Sequence, residues 1–81
     1  MAYFVYILEC SDGSFYTGIT WDINKRLVEH NNGFSLATKG KLPVKLVHQE
    51  KFDDKYQAAK REREIKGWRR EKKIKLIASL H

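Results

Sequence analysis

Two strand-forming segments joined by a tight turn limit what the start of this chain can fold into. Residues 3–10 and 15–19 are rich in aromatic and branched side chains that alternate between two faces, a pattern typical of β-strands. Between them, Asp12-Gly13 is a strong turn signal because glycine can adopt positive φ. The sequence therefore predicts a β-hairpin over residues 3–19.

The rest of the chain predicts helices and one further strand. Thr20 or Asp22 can cap a helix that ends at Asn32-Gly33, and Asp53 or Asp54 can cap a second one. In the strand between these helices, we expect Val44, Leu46 and His48 on one face. The predicted ranges are helices over 23–30, 54–66 and 68–80 and a strand over 44–52. This order, β-β-α-β-α-α, indicates an α+β fold with one three-stranded sheet and helices packed on it.

Length and composition limit the class of protein. The chain has 81 residues and a formal net charge of +6, and this length predicts a single domain over residues 1–81. Cys10 is the only cysteine, so no internal disulfide forms, and residues 1–3 lack the features of a signal peptide. No stretch approaches the ~18 apolar residues that span a bilayer. We expect a soluble, cytoplasmic monomer that does not contact membranes.

The excess positive charge lies in one region. Residues 60–75 contain nine Lys or Arg and three Glu, whereas the basic and acidic residues elsewhere cancel. A localised basic face favours phosphate polyanions through counterion release. A solvated helix face kept soluble by Lys and Arg would produce the same pattern.

The first predicted helix places an arginine and a histidine one turn apart. At ~100° per residue, Ile23, Leu27 and His30 form an apolar stripe that Arg26 flanks. Arg26 and His30 should therefore point toward the same edge of the core. Ordinary packing is the alternative: Arg26 would lay its stem on the sheet, and His30 would be a partly buried histidine.

Glu62 lies near the centre of an apolar stripe on the second predicted helix, between Ala58 and Ile65. A carboxylate turned toward a small core needs a partner, because leaving it unpaired costs several kcal/mol. Either a nearby cation or a divalent metal ion would serve, since hard cations take carboxylate oxygens. The candidate cationic side chains are Arg26, Lys60 and Lys66.

Two tyrosines belong to the predicted hairpin. Tyr6 and Tyr16 can be neighbours on one sheet face. Cross-strand aromatic packing is the usual reason for such a pair, and a shared polar site beside Arg26 and Glu62 is the functional alternative. Gly18, without a side chain, would leave room for a substrate to reach the sheet.

In their order along the chain, these residues resemble the motifs of the GIY-YIG nuclease superfamily, and within it the small stand-alone bacterial proteins of the UPF0213 type. Phe4-Val5-Tyr6 stands in place of the first motif triplet, and Tyr16-Thr17-Gly18 in place of the second. Residues 26–31 match the downstream block, and residues 58–62 match the segment that supplies a metal-binding glutamate. The resemblance covers nearly the whole chain and implies a central three-stranded antiparallel sheet flanked by helices.

The resemblance also implies a chemistry. One of Tyr6 and Tyr16, with its phenolate character raised by the site, would activate water as a general base. Arg26 would bind the phosphate, and His30 would act as a hydrogen-bonding or acid–base group. Glu62 would hold one Mg²⁺ or Mn²⁺ ion, which would stabilise charge on the scissile phosphate and leaving oxygen. The expected partner is DNA, in a process such as DNA repair, with no small-molecule cofactor. The residues expected to contact nucleic acid are Lys39, Lys41, Lys66, Arg69, Arg70, Lys72 and Lys73.

Two non-enzymatic functions stay open at this point. One is a nucleic-acid-binding module that uses the basic face of residues 60–75 and exposed aromatics such as Trp68. The other is an adaptor whose basic helices dock an acidic protein. Glu62 distinguishes an enzyme from these two functions, because a binding module has no evident need for a carboxylate at this position. A buried ion pair would also account for it.

Overall fold

The computed structural model describes residues 1–79, and within that range it contains three strands and three helices in the predicted order. The strands are β1 (Tyr3–Glu9), β2 (Phe15–Thr20) and β3 (Lys45–Phe52). The helices are α1 (Ile23–Asn31), α2 (Lys55–Lys66) and α3 (Arg70–Ser79), and a 3₁₀ turn spans Lys39–Lys41. Residue 80, which was predicted to end the third helix, lies outside the described residues.

The strands form one antiparallel sheet in the order β2-β1-β3. β1 is therefore central, and β2 and β3 are the edges. This arrangement confirms the predicted α+β fold.

The turn between β1 and β2 forms as the Asp-Gly pair predicts. Gly13 has φ +83°, which a residue with a side chain rarely adopts. Asp12 Oδ1 accepts hydrogen bonds from the backbone N–H of Ser14 at 3.0 Å and from its hydroxyl at 2.6 Å. These bonds hold the pKa of the Asp12 carboxyl below its ordinary value. The turn thus fixes the register that brings the two tyrosines together.

Alternation along β1 divides the core between the two faces of the sheet. On one face, which we call the α2 face, Val5 and Ile7 pack against Ala58 and Ile65 of α2. On the other, the α1 face, Tyr6 and Leu8 pack with half-buried apolar side chains of α1. Each fully buried aliphatic side chain contributes about 1.5–3 kcal/mol. The central strand therefore holds the helices on both faces.

Capping side chains determine where the first two helices begin. Asp22 Oδ1 accepts from the backbone N–H of Lys25 at 3.1 Å, and Asp54 Oδ1 accepts from that of Tyr56 at 2.8 Å. Each cap is one of the two residues that the sequence offered, and a carboxylate cap contributes about 1 kcal/mol. The Asn32-Gly33 pair ends α1 as predicted, with Gly33 at φ +79°.

An irregularity in β3 corrects one prediction. Ile7 pairs with His48 but the next residue, Leu8, pairs with Leu46, so Val47 is an extra residue in the strand. An extra residue shifts the alternation of side chains between the two faces. The prediction that His48 shares a face with Leu46 is therefore wrong, because His48 lies on the α2 face opposite Ile7.

A charged network joins β3 to α2 on that face. Glu50 Oε1 accepts a hydrogen bond from Arg61 Nε at 2.9 Å, and Glu50 Oε2 accepts one from Arg61 Nη2 at 3.1 Å. His48 Nε2 lies 2.7 Å from the same Oε2. Burial acts to raise the pKa of Glu50, but the bonds from Arg61 and His48 outweigh it and lower that pKa. The Arg61 guanidinium also lies over the Trp68 ring, 5.0 Å from its centroid.

The last helix is attached to the first hairpin. Arg70 Nη1 donates a hydrogen bond to the carbonyl of Gly13 at 2.5 Å, and the guanidinium lies 4.7 Å from the centroid of the Phe15 ring. Residues distant in sequence therefore meet at one end of the sheet. Among the helices of residues 1–79, none is long and apolar enough to cross a bilayer.

Candidate active site

The phenol of Tyr6 is the point at which four predicted side chains meet. It projects from β1 on the α1 face and is 2% exposed. Arg26 Nε donates to its oxygen at 3.4 Å, and His30 Nε2 lies 3.1 Å from the same oxygen. The Tyr16 ring centroid lies 6.2 Å from that of Tyr6 and 5.1 Å from that of His30. Tyr6, Tyr16, Arg26 and His30 therefore form one cluster, as predicted.

Gly18 makes room for this cluster. It is the cross-strand partner of Tyr6, and a Cβ at Gly18 would overlap the phenol oxygen and lie 3.0 Å from Tyr16 Cε2. The space that Gly18 leaves is thus filled by the phenol. The prediction that it would admit a substrate is wrong for that reason.

α1 supplies the nitrogen groups of the cluster from its sheet-facing side. Ile23 and Leu27 pack on the α1 face, and this packing turns His30 fully inward. The Arg26 side chain is 36% exposed and forms an ion pair with Glu29 at 3.3 Å. A cleft of about 270 Å³ lies beside Arg26, between β2 and the start of α1. Its guanidinium can therefore meet an anion from solvent while it contacts the phenol.

Both hydrogen-bonded partners at the centre are neutral at neutral pH. Burial is the main cause that raises the pKa of Tyr6, and it outweighs the hydrogen bond from Arg26. Burial, followed by the positive charge of Arg26, lowers the pKa of His30. The predicted increase in phenolate character is therefore wrong for Tyr6, because desolvation of the charged form prevails.

Glu62 approaches from the other side of the sheet. It belongs to α2, and its side chain is 17% exposed, compared with 46% for Glu64, so the two point to different sides as predicted. Of the cations considered, Lys66 is the partner that we find, with Nζ 3.5 Å from Oε2. The charge of Glu62 is one cause of the raised pKa of Tyr6. Among the described residues, no hydrogen bond or ion pair joins Glu62 to the cluster around Tyr6, so the structure does not bring Glu62 into contact with the other predicted site residues.

Comparison with known proteins identifies the family. Residues 2–75 match the model described as the GIY-YIG catalytic domain. The chain belongs to the GIY-YIG family. It is 53% identical over 77 residues to a UPF0213 protein of Staphylococcus saprophyticus and 51% identical over 77 residues to one of Staphylococcus aureus, and each alignment covers 94% of both chains. The predicted resemblance is confirmed.

Two solved structures share the fold of this GIY-YIG domain. The solution NMR structure of a UPF0213 protein from Bacillus halodurans is 41% identical, with a TM-score of 0.66 over 99% of this chain and 86% of that one. The NMR structure of a protein from E. faecalis is 35% identical, with a TM-score of 0.69 over 100% of this chain and 88% of that one.

The donor set of the GIY-YIG domain suits only a cation that keeps much of its water. Within residues 1–79 no group of three His, Cys, Asp or Glu side chains could hold a metal ion. Glu62 is a largely buried carboxylate with one ion pair at 3.5 Å. The hydroxyl of Thr17, buried on the α2 face of β2, has no hydrogen-bond partner among the described residues. Mg²⁺ is bound by one or two carboxylates and several waters, so the Glu62 carboxylate fits it.

The basic residues predicted to contact nucleic acid differ in how freely they can do so. Lys39 and Lys41 are exposed on the 3₁₀ turn, and Lys66 pairs with Glu62. On α3 and just before it, Lys73 is half-buried, whereas Arg69 and Lys72 are exposed.

Arg70 and Trp68 make contacts that stabilise the fold. Arg70 is held by the carbonyl of Gly13 and the Phe15 ring. Trp68 is half-buried, packs against the core of the α2 face, and has Lys72 Nζ 4.2 Å above its ring. The suggestion that Trp68 is an exposed stacking surface is wrong because the core and two cationic side chains cover it.

The cluster also contains a residue that the sequence analysis missed. Thr38 is fully buried, and its hydroxyl lies 2.8 Å from His30 Nδ1. It belongs to the polar connection between α1 and β3, where no periodic pattern marks a residue as inward-facing. No sequence signal that we considered would have found it.

Proposed function

We propose that this GIY-YIG domain is a metal-dependent endonuclease that hydrolyses phosphodiester bonds in DNA. The observation that supports this most directly is the meeting of two phenols, a guanidinium and an imidazole around Tyr6. Burying polar groups in so small a core is costly unless they are hydrogen-bonded. A core built only for stability would use apolar side chains here, and these groups are those that hydrolysis of a phosphodiester needs.

Arg26 is the proposed phosphate ligand. Its forked guanidinium matches two phosphate oxygens, and about a third of the side chain reaches solvent. The ion pair with Glu29 is partly exposed and contributes at most about 1 kcal/mol. A phosphate can therefore replace Glu29 on Nη1 while Nε stays on the Tyr6 oxygen.

Tyr6 is the proposed general base, with His30 as the acceptor of its proton. The lowered pKa of His30 keeps the imidazole neutral, with Nε2 facing the phenol. As the water oxygen bonds to phosphorus, the Tyr6 oxygen takes a proton from water and passes its own proton to Nε2 in the same step, so no free phenolate is formed. The bond between phosphorus and the leaving oxygen breaks, and that oxygen gains a proton from the imidazolium or from solvent. The products are a phosphomonoester and an alcohol.

Glu62 is the residue that would hold one Mg²⁺ or Mn²⁺ ion. Such an ion would stabilise negative charge on the scissile phosphate and the leaving oxygen. Lys66 would then release Glu62, and at half exposure that ion pair costs little to break.

A matched pair of glutamates on α2 tests the proposal. Cleavage of duplex, single-stranded and branched DNA is measured with Mg²⁺ and with Mn²⁺ for the Glu62→Gln and Glu64→Gln variants. We expect Glu62→Gln to lower the rate at least about 100-fold, because an ion supplies several kcal/mol to the transition state. Glu64→Gln, on the exposed side of the same helix, should cleave at the wild-type rate.

Circular dichroism is used to check that both variants are folded. Equal cleavage by the two variants would remove Glu62 from the site. Binding without cleavage by the wild type on every DNA would support the non-catalytic binding module instead.

A further inference from the structure

The side chain of Thr38 is used in an unexpected way. Thr38 occupies the position before the 3₁₀ turn at Lys39–Lys41, where a threonine hydroxyl normally caps the following backbone N–H groups. Here it makes no capping bond. Its hydroxyl instead lies 2.8 Å from His30 Nδ1, with both side chains fully buried. The hydroxyl therefore serves His30 rather than its own turn.

The surrounding connection is built to hold Thr38 in that place. The side chain of Asn31 donates to the carbonyl of Val44 at 3.1 Å and accepts from its N–H at 2.8 Å, and this closes the base of the connection. Inside it, the backbone N–H of Thr38 donates to Ser35 at 3.2 Å, and that of Lys41 donates to Thr38 at 2.9 Å. The backbone of Thr38 is thus fixed by bonds that do not involve His30, and this places the side chain beside the imidazole.

Two arrangements of protons fit the three side chains. In one, His30 carries its proton on Nδ1, donates it to Thr38, and accepts the phenol proton of Tyr6 at Nε2. In the other, the proton is on Nε2 and points at the phenol oxygen. That oxygen already accepts a hydrogen bond from Arg26 Nε–H. The second arrangement therefore leaves the buried phenol proton without an acceptor. Of the Tyr6 and Thr38 hydroxyl protons, the phenol proton is the more acidic. The first arrangement gives the phenol proton an acceptor and leaves only the weaker donor, the Thr38 hydroxyl proton, without one among these side chains.

We infer that Thr38 is a positioning residue. Its hydroxyl oxygen accepts a hydrogen bond from His30 Nδ1–H and so keeps Nε2 unprotonated toward Tyr6. The charged and titratable groups around the imidazole are Tyr6 from β1, Tyr16 from β2, and Arg26 and Glu29 from α1. None of these replaces Thr38 as the partner of Nδ1 in the contacts that we find. The catalytic consequence rests on the proposed function, whereas the position of the proton does not.

The position of the proton is measured directly. Long-range ¹H–¹⁵N correlation distinguishes a protonated from an unprotonated ring nitrogen, and His30→Gln identifies the His30 signals among those of the three histidines. We expect Nδ1 protonated and Nε2 unprotonated in the wild type and in Thr38→Ser, which keeps the hydroxyl. In Thr38→Val, which has the same shape without it, we expect proton density to move to Nε2.

The same variants are then compared in cleavage. We expect Thr38→Val to lower kcat about 100-fold at unchanged KM and to change the pH profile, because misplacing a proton of this kind removes general-base assistance. Thr38→Ser should stay within about threefold of the wild type.

Several results would overturn the inference. One is a wild-type His30 protonated on Nε2, which needs no variant to fold. Another is a Thr38→Val protein with the wild-type proton position, whether its kcat is retained or lost, since a loss would then reflect only structure. If the wild type cleaves no DNA, the proposed function fails, and the spectrum of His30 still decides the role of Thr38.

Discussion

Replacing Gly18 with alanine should separate the phenol of Tyr6 from its partners. A Cβ at this position would overlap the Tyr6 oxygen and lie 3.0 Å from Tyr16 Cε2. The ring cannot withdraw freely, because it is 2% exposed and held by Arg26 and His30. Gly18→Ala must therefore displace the phenol, distort β2, or both.

The size of the effect follows from the contacts that are lost. Inserting a methyl group into a packed site costs about 1–3 kcal/mol. Leaving the buried Nε2 of His30 without its partner costs about another 1–3 kcal/mol. Reduced freedom of the unfolded chain returns about 0.4–1 kcal/mol. We expect a net loss of about 3 kcal/mol in the free energy of unfolding, within a range of about 1–5.5 kcal/mol, which is a large part of the stability of a small domain.

Urea unfolding followed by circular dichroism measures this loss, and the chain provides a matched control. Gly40 has no atom within 4 Å of the position that a Cβ would take. Gly40→Ala should therefore leave the free energy of unfolding unchanged or raise it by up to about 1 kcal/mol, because the unfolded chain loses freedom and nothing is displaced. Equal stabilities for the two alanine variants would refute the argument that Gly18 is kept for the phenol.

Two other predictions concern charge. Neutralising Arg69 should flatten the dependence of DNA affinity on salt, because fewer counterions are released, and leave stability unchanged. Arg70→Ala should instead lower the free energy of unfolding by about 1 kcal/mol, since it loses the bond to Gly13. An unchanged salt slope would place the DNA surface elsewhere. Stability should also fall as pH decreases from about 7 to about 5, because the unfolded chain protonates His30 near its ordinary pKa of 6.5 while the folded chain holds that pKa lower. His30→Gln should reduce this fall in pH-dependent urea unfolding, and an identical pH dependence in the variant would show that another group is responsible.

Local signals in the sequence predicted the frame of the molecule well. Asp12 and Gly13 specify their turn, and Asp22 and Asp54 specify where helices begin, because capping and turn bonds involve residues only a few positions apart. Helical spacing also placed Arg26 and His30 correctly at the sheet. These interactions depend on neighbours in the chain, so their residues can be read from it.

The features that the sequence analysis did not predict depend on contacts between distant segments. The extra residue at Val47 reverses the face of His48, and no local pattern marks it. Thr38 reaches His30 only because the connection after α1 folds back, and Trp68 is covered by side chains of α2 and α3. The pKa of Tyr6 likewise depends on how deeply the assembled fold buries it.

The central strand leaves little freedom for divergence. In its seven residues, β1 presents the buried phenol of Tyr6 to one layer and Val5 and Ile7 to the other, and both of its edges are occupied by hydrogen bonds. The side-chain cluster around Tyr6 and the core beneath α2 therefore depend on the same short segment. A change in β1 that suits one layer must also be tolerated by the other, which limits how far this strand can vary.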